Sequence, residues 1–271
     1  MDRPRYHVLP GTFVAAGYAP DGDSIRFAPD RLAALDELLG TLRLRVAKDT
    51  SVQLRLEGID APELHYLAHA QRLGDAARDT LLHAIGIDDA HVEHDLVTRA
   101  RWVRGTILTR SIDRNGRVIA YAFRDGAPLD VRASLNAAML RAGMAYPLAH
   151  DTQPAGDRRT FAAIARLARI EKLGVWAHDR TASFHLATDR SIGPHGGLIF
   201  PKLFRRCLAY VSDRLSGFRG DLRAWLEGEA GADNDVVIVR GRLMRLSELV
   251  EEVGREVRTR VDGGRVVFVA R

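Results

Sequence analysis

Three short stretches hold acids and arginines in the combination that phosphodiester chemistry needs. The first is "LRLEGIDAPEL", Leu54 to Leu64, where Arg55 precedes Asp60 by five residues and Glu63 by eight, with Pro62 between Ala61 and Glu63. The second is the turn "DGDS", with Asp21, Asp23 and Ser24. The third is "DRNG", followed at once by Arg117. Cutting a phosphodiester with water requires the attacking and leaving oxygens in line and fixed positive charge against the equatorial oxygens. A hard cation held by carboxylates and carbonyl oxygens can supply part of that charge. Arginine suits the rest, because its planar fork matches two phosphate oxygens and it stays protonated. A carboxylate can orient or deprotonate the attacking water. Taken singly, Asp23 and Asp60 also fit turn residues that satisfy nearby backbone groups. Arg55 and Arg117 fit solvated strand positions in an arginine-rich chain.

The elements that must position these groups follow from hydrophobic period and turn chemistry. Thr12 to Phe27 reads as strand, turn, strand, with Pro20, Asp21 and Gly22 in the turn. Leu32, Leu35, Leu38 and Leu39 have helical spacing, which predicts a helix from Asp30, as its cap, to Leu39, ended by Gly40. "SVQLRLEGI" alternates as a strand, and Leu73, Ala77, Leu81 and Ile85 share one helix face. Two apolar runs flank "DRNG" and predict a hairpin whose tight turn uses Asn115-Gly116. "VRASLNAAMLRAGMA" is helical up to Gly143. A further helix should turn Phe161, Ile164, Leu167 and Ala168 inward and end at Gly174. Strands, a helix, a hairpin and two helices make a mixed β/α domain, a five-stranded barrel of the oligonucleotide-binding type with packed helices, over residues 1–180.

The pattern changes after Trp176. "TASFHLATDRSIGPHGG" reads as a linker, set at 181–194. Residues 195–271 are expected to form a small α+β domain. Phe204, Leu208, Val211 and Leu215 give one amphipathic helix, and Leu222, Trp225 and Leu226 a second. "DVVIVRG" and "GRVVFVA" read as strands, with "LSELVEEV" helical between them. Lys202, Arg205 and Arg206 lie off the apolar stripe of the first helix. That is either a solvated face or an added nucleic-acid surface.

Bulk composition narrows the class. With 46% hydrophobic and 28% charged residues over 271 positions, the chain is an ordinary globular one. A net charge of +5 suits polyanion partners, although nearly all of it is arginine and a coding bias would give the same balance. Cys207 is the only cysteine, so no intrachain disulfide forms, and its place beside the apolar stripe predicts burial. Neither a signal peptide nor a membrane span is legible, so the expected location is the cytoplasm. His65 and His69 follow the first motif, but oxygen chemistry explains that motif without a zinc site.

"DGDSIRF", "RLEGIDAPE", "DRNGRVIAYAF", "LNAAMLRAGMA" and "EKLGVW" occur in this order. Together they resemble the staphylococcal nuclease (thermonuclease) family over roughly residues 8 to 178, with extra segments near 28–50 and 87–102. The resemblance implies a calcium-dependent nuclease acting on DNA, RNA or both and leaving a 5′-hydroxyl and a 3′-phosphate. By the same resemblance Asp23 and Asp60 bind Ca2+ through side chains and Ala61 through its carbonyl, a position where the family commonly has threonine. Glu63 falls on the water-activating glutamate, and Arg55 and Arg117 fall on the two phosphate-binding arginines. Arg114 and Asn115 fall where the best-known member grips the terminal phosphate with lysine and tyrosine. Arg114 retains a cation there, whereas Asn115 cannot stack. A barrel that binds nucleic acid or protein without cutting is the alternative, and an effector whose C-terminal part serves targeting or docking is a third reading.

Overall fold

The computed structural model describes residues 6–150, 153–228, 235–239, 241–260 and 266–270. The chain opens with β1 (His7–Val14), β2 (Arg26–Pro29), β3 (Val52–Leu56) and the two-residue β4 (Ile59–Asp60). Then come α1 (Gly74–Ile85), a ribbon of β5 (His91–Glu93) and β6 (Leu96–Arg99), and the hairpin β7 (Val103–Ile112) and β8 (Val118–Arg124). It continues with α2 (Leu135–Arg141), β9 (Tyr146–His150) and α3 (Ala155–Ile170). Five strands close into a barrel in the order β1-β2-β3-β8-β7. Closure depends on the parallel pairing of β3 with β8, Leu54 opposite Val118 and Leu56 opposite Ala120. Gly11 and Gly105 face each other across β1 and β7. A Cβ on either would run into the ring of Phe27 or Phe13, and those two rings pack edge to face at 5.2 Å inside the barrel.

Helices close the barrel by burying apolar stripes, and one polar side chain fixes their register. Asn136 on α2 is fully buried. It accepts from the Ala122 N–H at 3.0 Å and donates to the carbonyls of Glu57 at 2.9 Å and Ala120 at 3.0 Å. Those bonds pin α2 to the end of β3, directly before the turn that carries the acids. Gly58 makes that turn at φ 84°, where a Cβ would strike Gln153 and the Phe161 ring.

The remaining elements are α4 (Val175–His178), β10 (Ser183–His185), α5 (Pro201–Leu215), α6 (Leu222–Glu227), β11 (Val236–Val239) and β12 (Arg242–Arg245). They end with α7 (Leu246–Leu249), β13 (Val250–Val253), β14 (Glu256–Thr259) and β15 (Val266–Ala270). This part has its own core, built on Phe200, Phe204, Tyr210, Trp225 and Phe268, and that core takes in Tyr146, Leu148 and Val175 from the preceding part. A second sheet runs β12-β11-β15-β9-β4. In it β15 lies parallel to β9, and β9 pairs with β4, placing Tyr146 opposite Asp60. The C-terminal strands are thus hydrogen-bonded, through β9, to the strand that holds an acid of the site. Residues 181–194, expected as a linker, contain β10 paired with β14, and Phe184, Leu186 and Ile192 are buried.

Four local expectations are corrected. Leu32–Glu37 is a 3-10 helix, capped by Arg31 and not by Asp30, which forms a two-point ion pair with Arg104 instead. The segment stops early because Leu39 joins β7, bonding to the Arg110 carbonyl at 3.0 Å and the Ile112 N–H at 2.8 Å. The helix bearing Phe161 stops at Ile170, and Leu167 on it is 61% exposed. Leu215, at the end of α5, is 87% exposed, while Cys207 is buried as expected. "LSELVEEV" is helical only to Leu249. The rest is a strand, with Glu252 accepting bonds from Tyr210 and the Leu222 N–H.

Candidate active site

The acids and arginines meet because each short segment is tied to the end of β3. The "DGDS" turn is self-bonded, Asp21 Oδ1 accepting from the Asp23 N–H at 3.1 Å. It is stapled to β3 by Leu56 N–H to the Asp23 carbonyl at 2.8 Å. Gly22 lets the turn press against Ala61 and Ala77, where a Cβ would sit 2.6 Å from both methyls. Asp23 Oδ2 then accepts from the Ala61 N–H at 2.9 Å, so the first motif buttresses the second. On the far rim Asp113 holds the hairpin turn by accepting from the N–H groups of Asn115 and Arg117, both at 2.9 Å. Gly116 supplies the positive φ of 81°.

These segments surround a cleft of about 890 Å³ whose lining includes Asp23, Arg55, Ala61, Glu63, Arg114 and Arg117. Asp60 lies just beneath it with 0% exposure. Arg55 is the hub. Its Nη1 forms an ion pair with Asp23 Oδ1, and its Nη2 donates to Asp60 Oδ1 at 2.6 Å and to the Ile59 carbonyl at 3.2 Å. Arg117 lines the same cleft but stands outside this cluster, its Nε on Asp113 Oδ2 at 2.8 Å. Arg114 lines the rim beside it.

One partner comes from outside the three motifs. Arg205 on α5 donates through Nη2 to Asp60 Oδ2 at 3.2 Å and through Nη1 to Glu63 Oε1. Charges therefore alternate along Asp23, Arg55, Asp60, Arg205 and Glu63. Lys202 and Arg206 also line the cleft, and both are bound to Asp235, Lys202 at 2.8 Å and Arg206 through Nε at 2.8 Å. Lys202, Arg205 and Arg206 of α5 thus point at this site or its wall. Spacing could mark them as one helix face but could not tell which of the two faces it was. Gln71 reinforces the join: it accepts from the Glu63 N–H at 3.2 Å and donates to the Ile199 carbonyl at 2.7 Å.

The electrostatics separate the acids. Burial raises Glu63 to about 7, with Arg205 pulling the other way. Burial likewise raises Asp23 to about 6 against the opposing pull of Arg55. At Asp60 burial also works against ionisation, but Arg205 and Arg55 outweigh it and hold the carboxyl below its ordinary value. Asp60 thus stays a fixed negative charge, while Glu63 is poised to exchange a proton near neutral pH.

Oxygen donors only are on offer, which suits a hard cation. Asp23 and Asp60 converge on one guanidinium, that of Arg55. Among the described residues no group of three or more His, Cys, Asp or Glu gathers as a metal site. An ion held there would need the Ala61 carbonyl, water or substrate to complete its shell. His65 and His69 turn elsewhere, toward Asp95 at 4.0 Å and Asp189 at 3.6 Å. Tyr146, near the second helix, is buried in the C-terminal core and bonds Asp179 at 3.2 Å.

A closed five-stranded barrel with acids and arginines clustered at one strand end defines an oligonucleotide-binding-type fold with a charged cleft. Residues 53–178 match the family described as staphylococcal nuclease homologue. That match and the closed five-stranded barrel fit a staphylococcal-nuclease-like domain. No curated protein matches the chain. Among the described residues no helix is long and apolar enough to cross a membrane.

Proposed function

We propose that this protein is a calcium-dependent nuclease that hydrolyses phosphodiester bonds of DNA, RNA or both with little sequence preference. The observation that carries the reading is the convergence, from three separate segments on one cleft, of Asp23, Arg55, Glu63 and Arg117, with Asp60 beneath them. Arg55 and Arg117 hold two oxygens of the scissile phosphate and stabilise the charge that builds on them. Glu63, raised to about 7, takes the proton of the attacking water as its oxygen bonds to phosphorus. The bond from phosphorus to the 5′-oxygen breaks, that oxygen gains a proton from solvent, and the products are a 5′-hydroxyl and a 3′-phosphate. Bound calcium, held by Asp23, Asp60 and the Ala61 carbonyl, would supply fixed positive charge against a phosphate oxygen. Arg114, on the same rim as Arg117, extends the grip along the substrate backbone.

A binding barrel that does not cut is favoured by one observation: arginines engage both Asp60 oxygens and Glu63. Digestion of single- and double-stranded DNA and of RNA, in calcium, in magnesium and in EDTA, separates the two readings. Calcium-dependent cutting that falls by orders of magnitude in Glu63→Gln is the expected result. Retention of the substrate in a gel shift without cutting in any metal refutes the nuclease reading.

A further inference from the structure

The cleft has two walls from different cores. The barrel side carries Arg55, Arg114 and Arg117; the other side is α5, carrying Lys202, Arg205 and Arg206 at helical spacing i, i+3 and i+4. Helix α5 is rigidly seated. Leu203, Phe204, Cys207 and Leu208 are buried, and Phe200 at its start stacks on Phe268 at 4.3 Å. Position 205 is therefore fixed relative to β4, which belongs to the sheet on which this core packs. Of the three basic residues, Lys202 and Arg206 are satisfied by Asp235. Arg205 alone reaches the two acids at the floor and mouth of the cleft.

Its guanidinium has the same relation to Glu63 and Asp60 as Arg55 has to Asp60 and Asp23. Each fork bridges two carboxylates where a phosphodiester would present two oxygens of the same geometry. A phosphate entering between the walls competes with the acids for both forks. We infer that Arg205 is a third phosphate-binding arginine of this site, contributed by the C-terminal core. By moving from Glu63 onto the substrate phosphate it leaves Glu63 free to take the proton of water. On this inference the C-terminal part is one half of the cleft, and the assignment rests on the nuclease reading above for its catalytic half only.

The test uses the full chain with Arg205→Gln and Arg205→Lys. Arg223→Gln serves as the control, since Arg223 is exposed and paired with Glu227 on its own helix. Binding of a fluorescein-labelled oligothymidylate is read in EDTA by anisotropy across a salt series, and cutting is read as separate kcat and KM. Arg205→Gln should weaken binding about tenfold and flatten the log–log salt slope by about 0.7, the value of one lost contact on a single strand. It should lower kcat about a hundredfold, as loss of one charge-stabilising donor does. Arg205→Lys should keep the salt slope and restore kcat only in part, because an ammonium cannot fork. Arg223→Gln should match the parent. If Arg205→Gln fails to fold by far-UV circular dichroism, Arg205→Lys carries the test through its kcat.

An Arg205→Gln that binds as tightly or more tightly and cuts as fast or faster overturns the inference, making Arg205 a plug on the acids. If the parent binds but never cuts and Arg205→Gln still flattens the salt slope, the phosphate contact stands and the nuclease reading falls. If the parent cuts and no variant differs from it, the reverse holds.

Discussion

Glu57 offers a clean measurement of what this fold gives up to keep a carboxyl buried beside the site. It lies one residue before the Gly58 turn and is 1% exposed. Its Oε2 accepts from Tyr6 at 3.3 Å, and its Oε1 faces Arg110 at 3.6 Å without a hydrogen bond. Burial raises its pKa from 4.5 to about 7, with Arg110 opposing. The folded state therefore holds a proton that the unfolded chain releases between these values. Stability is full below the unfolded value and falls as pH rises through the folded one. At about 1.4 kcal/mol per pH unit the interval amounts to about 3 kcal/mol above pH 7. Glutamine mimics the protonated acid at every pH. Urea unfolding of the parent and of Glu57→Gln, followed by tryptophan fluorescence, should show nearly equal stabilities near pH 4.5. Glu57→Gln should gain steadily until it leads by about 3 kcal/mol near pH 8. The difference between the two proteins isolates Glu57 from Glu63, which titrates in the same range. A gap that stays flat with pH, or one that grows in favour of the parent, would refute the reasoning and show that the Arg110 pair outweighs desolvation.

Asn136→Ala should cost about 3 kcal/mol in the same unfolding assay, since it leaves the Ala122 N–H and the Glu57 carbonyl buried without a side-chain partner. A loss under about 1 kcal/mol would mean that water replaces the amide. Gly58→Ala should cost at least about 2 kcal/mol, because an L residue is strained at φ 84° and its Cβ meets Gln153 and Phe161. Its melting temperature and its nuclease rate should fall together. Calcium at ten times its dissociation constant should stabilise the parent by about 1.4 kcal/mol, read as a rise in melting temperature. Asp60→Asn should abolish that rise, and an unchanged rise would place the ion elsewhere.

The barrel and the barrel side of the cleft were legible because local rules determine them. Alternation marked β3 and β7, "DRNG" marked the hairpin, and three motifs each sat on a turn whose chemistry is contained in a few residues. Errors arose where a distant partner decided the outcome. Leu39 was drawn into β7 and ended a helix that periodicity alone would continue. Leu167 and Leu215 had the right spacing, but among the described residues they are left exposed, because spacing does not say whether a neighbour covers that end of a helix. The same limit hid the second wall. Parallel pairing of β15 with β9 joins residues more than a hundred positions apart, and no short-range pattern encodes it. Periodicity showed that Lys202, Arg205 and Arg206 share a face of α5 but could not say what that face meets. Charge balance provides the missing constraint once the fold is known. With Arg55 as their only cation, Asp23, Asp60 and Glu63 would bury three negative charges against one positive. A second cation from outside the barrel balances these acids when no metal is bound. Arg205 supplies it from α5, whose leading Phe200 stacks on Phe268 of β15, a strand of the same sheet that holds Asp60, so acid and counter-charge come from two elements packed on each other.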